Sequence, residues 1–599
     1  MKRIILIVNC TLLIVHCAFS QDTTLTRNVT VEREFQPIVQ SAGKINVRPK
    51  VQETTLPAAE VVYSDYNATF SPAFNTNSLL SQPMRFTPPH QYNGYVRGGL
   101  GHTNTLFDFG YRLDDQKNSI LDVYANHRAE WGRRANSNTR IGFDFRHTFS
   151  TCDLYFGFRG ANRFYTRYGR YYDGDKGLTA AHYRDLQPED KQNIWTVDAF
   201  AGVKSNNKSD IQYQAQVGYT LFALPDYVSE HQVRTTVNID WSSDAHHVGG
   251  RVYVQNSFLQ TDQVADTLFN SRHALRIEPY YAYLGRRFSI HAGVNFDINI
   301  GRGQFLSNMD QVTFAPSPKV EFEAQIAKKW LTMYGIAQGS LSTGTLQAYM
   351  ASMPYRAIDP GITSHHVGGY TPIDAQLGFR IRPYRDLLID IYGGYAYQKN
   401  KITTVATVDS VTAAGVTMLP GTFTYFYGDY GRGKIGAAFS YHYQDIITIH
   451  LWGNYYFWQS FRQENIENGY FTKPGYSVPV RADGVYDRAA WDMGLRIDAR
   501  IDKHWSLYSD NRFSGSRTAL VSMPDANGSY ERTLKPTIQL SLGCQYETVV
   551  GSKSFREKTT QPNLVVFFQL NNYIHRHNDI WYGYQSEGIN FLMGVTYKF

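Results

Sequence analysis

The sequence predicts an all-β protein, a large antiparallel transmembrane β-barrel. Three observations predict it. Apolar and polar residues alternate with a period of two over stretches longer than most soluble strands. Tight reversals alternate with long polar segments. The composition combines 44 Tyr, 35 Phe and 48 Gly with only 19% charged residues, yet mean hydropathy is −0.39. That combination suits a sheet wet on one face and greasy on the other. A spanning helix would need roughly 18 consecutive apolar residues, and no stretch beyond residue 20 approaches that.

Taken in order, residues 1–20 read as a signal peptide. Lys2 and Arg3 form a basic start, Ile4 to Val15 an apolar core, and Ala18-Phe19-Ser20 a small-x-small cleavage site. Cys17 raises the alternative of a lipid anchor, but His16 stands where such a signal wants a small residue. Either reading exports the chain. Residues 21–89 form an N-terminal extension, periplasmic or entering the lumen. Prolines recur there at 37, 49, 57, 72, 83, 88 and 89, and proline interrupts sheet ladders. The barrel is expected over 90–599.

Within the barrel, Phe288, Ile290, Ala292, Val294, Phe296, Ile298 and Ile300 share one face, and Ser289, His291, Asn295, Asp297 and Asn299 the other. Ala489, Trp491, Met493, Leu495, Ile497, Ala499 and Ile501 alternate in the same way with Arg488, Asp492, Arg496, Asp498, Arg500 and Asp502. So many charges on one face would be costly in a dry core. They can line a watery lumen, so Arg488, Asp492, Arg496, Asp498 and Arg500 are candidate lumen-lining residues. Tight reversals fall near 284–286, 382–385, 442–445 and 502–504. Long polar segments fall at 161–189, 344–367, 399–421, 460–485 and 515–534. Short turns on the periplasmic side and long loops outside are the barrel layout. The stripes number about 22, within a range of 14–22, and an even count keeps every long segment on one side. The chain ends FLMGVTYKF, with Phe599, Tyr597 and Val595 on one face. This resembles the carboxy-terminal signature of bacterial outer-membrane barrels, which implies a closing strand read by the barrel insertion machinery.

Size, signal, long loops, strand number and terminal Phe599 together resemble the barrel of TonB-dependent receptors. Thr26-Arg27-Asn28-Val29-Thr30-Val31 loosely resembles the short box by which such receptors pair with their energy-coupling partner. The resemblance implies outer-membrane transport. It also implies a folded plug ahead of the barrel, and this chain leaves only 21–89 there. That segment, with Val29, Val31 and Phe35, is therefore also a candidate site for a periplasmic or lipoprotein partner by strand addition.

The formal charge of +7 is modest for 599 residues. Basic residues are interleaved with acids, which excludes a nucleic-acid footprint and leaves a solvated surface or a patch for anionic lipid headgroups. Cys152 and Cys544, the two cysteines beyond the signal, have neither zinc-ligand spacing nor the pattern of a disulfide scaffold. His246-His247, His365-His366 and His575-Arg576-His577 lack a metalloprotease context and read as rim histidines. Asp173-Gly174-Asp175 lacks calcium-loop spacing and reads as a turn. No catalytic residue, cofactor or metal is expected, and the chain is not expected to be an enzyme.

Aromatic runs are the remaining signal. Tyr455–Trp458 and Trp581–Tyr584 lie next to strands and suit the interfacial girdle. Tyr165, Tyr168, Tyr171 and Tyr172 lie deep in a long segment and are the candidate ligand or partner contacts. The expected function is non-enzymatic transport across the cell outer membrane, in contact with its lipids. The alternative is the membrane-embedded scaffold of an envelope complex.

Overall fold

The computed structural model describes residues 92–599 apart from 115–117, 133, 173–182, 186–190, 207–209, 226–227, 261–271, 303–309, 328–329, 357–368, 409–410, 414–415, 419–420, 445, 464–465, 468–469, 474–475, 480–483, 523–527, 552–561 and 575–576. The expected signal, the extension with Val29, Val31 and Phe35, the Asp173–Asp175 turn, His365-His366 and His575-Arg576 lie outside the described residues.

One sheet of 24 strands carries the fold. Two of them, Arg517–Val521 and Glu531–Leu534, form a hairpin in which Leu520 and Val521 run parallel to Val405 and Ala406 of the wall. The other 22 form a closed antiparallel ring. The first strand, Gly94–Gly101, pairs with the last, Asn590–Lys598, from Tyr95 opposite Lys598 to Gly101 opposite Leu592. Gly94 and Phe599 exchange backbone hydrogen bonds of 2.9 Å in both directions. Closure leaves no unpaired edge, which the hydrocarbon would penalise by several kcal/mol per group.

The burial pattern is inside-out: apolar side chains face outward and polar ones inward. In the strand Phe288–Arg302, Phe288 and Ile300 are each 43% exposed, whereas Asn295 and Asp297 are 4% exposed. In the last strand Met593, Val595 and Tyr597 face outward with Phe599 beyond them, while Thr596 and Lys598 are buried. Leu592, the apolar residue out of phase, turns inward onto Leu106 and Phe567. The abundance of Tyr and Gly has a packing cause. The Tyr334 ring lies across Gly378 and the Tyr508 ring across Gly543, so closely that a Cβ at either glycine would collide. Both tyrosines are buried. A broad ring over a bare backbone covers the inner wall without leaving a void.

The long segments named from the sequence all emerge at one end of the ring. Several are partly strand. Leu387–Ala406 has 20 residues and Phe423–Tyr443 has 21, about twice the 9–11 needed to span. The segment 399–421 was expected to be loop. Strand continues through its first part because Thr403–Val408 and Thr422–Gly428 are buried residue after residue rather than alternately. Something covers both faces of the pleat there. The layout also departs from a strict rule: the long-loop end includes short connections at 102–103 and 225–227, and the short-turn end includes one longer connection at 549–563.

Candidate functional site

What covers those strand ends is an apolar cap at the long-loop end, the extracellular end in barrels of this kind. Its core joins Ile194, Phe222, Leu224 and Val228 of one side of the wall to Ala406, Phe423, Tyr425 and Tyr427, roughly half the ring away in strand order. The residues between come from loops: Leu346, Tyr349, Met350, Met353 and Tyr355 from one, Val521 from the hairpin, and Ile580, Trp581 and Tyr584 from the last. The cap therefore bridges the bore.

A short helix, Leu346–Ser352, is the centre of the bridge. Thr345 caps it by accepting from the Ala348 N–H at 3.1 Å. Its apolar residues at 346, 349, 350 and 353 recur at i, i+3, i+4 and i+7, and all are buried. That stripe was the sequence signal that could have located the cap. Glu230 on the wall accepts from the N–H groups of Leu346 and Gln347, each at 3.1 Å. Arg272 donates to the Gly344 carbonyl. On the opposite side the Tyr349 ring meets Tyr425 edge-on at 5.3 Å, and the Phe423 N–H donates to the Tyr355 carbonyl at 3.1 Å.

Aromatic contacts lock the rest. Tyr355 stacks on Tyr584 at 3.9 Å, and the Tyr584 hydroxyl donates to the Gly421 carbonyl at 2.6 Å. Arg517 donates to the carbonyls of Asp579 and Ile580 at 2.7 and 2.9 Å. Asp487 bonds Thr404. Burial lifts the Asp487 carboxyl above its ordinary value, while Thr404, Arg517, Arg488 and Arg356 pull it back.

Away from the cap, the inner wall is a chain of paired charges. Glu278 lies between Lys319 at 2.7 Å and Arg251 at 3.5 Å. Arg276 pairs with Asp297 at 2.6 Å, and Arg432 with Asp374 at 2.9 Å.

The structure separates the candidate lumen residues. Asp492 is buried on the inner face, accepting from Asn454 at 2.8 Å and Tyr456 at 3.1 Å. Arg496 and Asp498 pair at 2.8 Å. Arg500 ends the strand Trp491–Arg500 and is exposed. Arg488 lies before that strand, in the cap region, over the rings of Tyr430 at 3.9 Å and Trp458 at 4.9 Å.

The candidate ligand tyrosines fare differently. Tyr165 is 1% exposed and donates to the Pro354 carbonyl at 2.5 Å. It packs in the cap. Tyr168 packs beside it, 5.1 Å from Tyr584, and donates to the Gln585 carbonyl at 3.1 Å. Tyr171 and Tyr172 belong to the small strand Arg170–Tyr172. The girdle expectation is corrected for Trp581 and Tyr584, which are buried in the cap because the 572–589 segment folds into the mouth. In the other run Tyr455 and Phe457 are exposed on the outer face. Tyr456 turns inward to Asp492, and Trp458 donates to the Ala489 carbonyl at 3.0 Å. Of the histidines, His246 contacts the Tyr281 hydroxyl at 2.7 Å, His247 pairs with Asp240 at 3.1 Å, and His577 bonds the Ser586 carbonyl at 3.1 Å. Cys152 and Cys544 are free and partly exposed.

No protein-family model matches this chain, and no curated protein matches it. Solved structures do. The FrpB iron transporter from Neisseria meningitidis (F3-3 variant) superposes with a TM-score of 0.61 at 9% identity, covering 85% of this chain and 81% of FrpB. The copper transporter OprC gives 0.59 at 10% identity, over 86% and 82%. The ferric-catecholate import receptor Fiu from E. coli K12 gives 0.57 at 9% identity, over 86% and 82%. At such identity the likeness is one of fold. The chain folds as a closed 22-stranded β-barrel, and that fold is the one found in the barrels of TonB-dependent receptors.

Proposed function

We propose that the protein is a non-enzymatic transport barrel of the outer membrane whose pathway is closed at the extracellular mouth by its own loops. The observation that carries this is the cap itself: an apolar, aromatic bridge across a bore whose wall is charged and polar. Asp492, Arg496 and Asp498 line the wet pathway in this reading, with Arg500 at its exit. The named structural neighbours are iron, ferric-catecholate and copper transporters, which supports uptake of a solute. Residues 21–89, with Val29, Val31 and Phe35, are assigned to a periplasmic partner.

The test is conductance of the purified protein in planar bilayers. Wild type is expected to conduct poorly, and a variant with Leu346–Ser352 replaced by a Gly/Ser linker to conduct as an open pore. Equal low conductance in both would remove the cap from the closure and leave the reading without its support.

A further inference from the structure

Where the cap meets the wall, four cations act on one another: Lys401, Arg356, Arg432 and Arg488. Lys401 lies near the outer end of the strand Leu387–Ala406. The charged groups acting on its ammonium are Arg356, Arg432 and Arg488, all of like sign. Among the described residues its ammonium has no hydrogen-bond or ion-pair partner. Two of its neighbours are under-used as donors. Arg488 Nη1 and Arg432 Nε are enclosed with no acceptor, although Arg432 Nη2 reaches Asp374 at 2.9 Å.

Among the described residues, none of the nearby acids pairs with Lys401. Asp487 is shared by Arg356, Arg488 and Arg517 and is bonded by Thr404. Asp429 accepts from the Asn400 N–H at 2.9 Å, and Glu531 from the Tyr486 hydroxyl at 2.9 Å. The Tyr430 hydroxyl is taken by Thr403 at 2.7 Å. A water could solvate one ammonium, but it would leave the excess charge in place. Enclosed like charges and unfilled guanidinium donors cost free energy that only an acceptor of opposite sign removes.

We propose that Lys401, Arg432, Arg488 and Arg356 hold a small oxyanion, a phosphate or a carboxylate, at the junction of cap and wall. Arg488 is positioned for it by its contacts with Tyr430 and Trp458, which fix the guanidinium plane. The anion joins a cap residue, Arg356, to wall residues, so its binding tightens the cap. The site does not rest on the transport reading, because its test reads binding and not conductance.

The experiment titrates the full-length protein in detergent with inorganic phosphate and with acetate by calorimetry, using chloride at matched ionic strength as the reference. At least one oxyanion is expected to bind and to raise the unfolding temperature above the chloride value. Lys401→Met is expected to weaken that binding at least tenfold, and Lys401→Arg to retain it. Without oxyanion, Lys401→Met is expected to melt no lower than wild type, since it removes one of four clustered cations. No oxyanion effect in wild type, or an undiminished effect in Lys401→Met, would overturn the site. The wild-type titration decides the matter alone if the methionine variant does not insert.

Discussion

Glu230 on the barrel wall holds the N–H of Leu346, 116 residues further along the chain, at 3.1 Å, and its second carboxylate oxygen holds the next N–H at the same distance. A negative group at the first turn of a helix is favoured by both the free donors and the helix dipole. Glu230 is itself buried at 3% exposure with the helix in place. Glu230→Ala therefore abandons two donors at the helix start as well as the anchor. Charge-assisted bonds are worth about 1.5–3 kcal/mol each. The cap is expected to open more often while the barrel stays folded. Single-channel recording checks this: brief openings at several times the wild-type frequency, with unchanged heat-modifiable mobility of the barrel on gels.

Tyr584 carries the opposite side of the cap. It stacks on Tyr355 and bonds the Gly421 carbonyl. Tyr584→Phe keeps the stack and loses one hydrogen bond, for about 0.5–1.5 kcal/mol. Tyr584→Ala removes a buried ring, which costs about 3–5 kcal/mol in a closed core. Limited proteolysis of intact cells is expected to cut the 572–589 segment in the alanine variant and to spare the phenylalanine variant. Equal sensitivity would show that the stack does not hold the loop.

The wall was legible in the sequence, and the cap was not. Phe288 to Ile300 shows its two faces because the outside and inside of a closed barrel impose a strict period of two, whatever the neighbouring strands contain. Tyr597 and Phe599 stand exposed at the end of the same kind of stripe. Trp581 and Tyr584 misled because an aromatic ring suits a membrane interface, a binding surface and a packed core equally well, and only tertiary contacts choose among them. Arg488 was one residue in a charged stripe until the strand proved to start at Trp491. Glu230 carried no signal, since its partners lie in another loop. The helical stripe from Leu346 to Met353 was present but sat in a segment read as polar loop.

Asp487 gives the cap a pH dependence. Its folded value is raised above the ordinary 3.8, so the folded cap binds this proton more tightly than the open chain does. The sign follows by linkage: this contribution to closure is greatest below the ordinary carboxylate value. It declines as pH rises from there through the raised value, and is constant above. Mild acidification is expected to lower open probability within that window. Asp487→Asn is expected to flatten the dependence. A wild-type conductance that rises on acidification over the same range would contradict the assignment to Asp487.

Ile435 and Lys434 test the two-solvent wall at adjacent positions of one strand. Ile435 is 57% exposed on the outer face, while Lys434 turns inward and donates to Gln376 at 2.7 Å. Ile435→Lys places a charge against hydrocarbon, at a cost of about 2–4 kcal/mol near the midplane. Lys434→Met loses one hydrogen bond of a wet wall, about 1 kcal/mol. The first is expected to lower the urea concentration at which the barrel unfolds from liposomes, and the second to leave it nearly unchanged. If the two variants were equally destabilised, the outer face at 435 would not be meeting lipid. The alternation that defines this strand would then reflect packing against another protein.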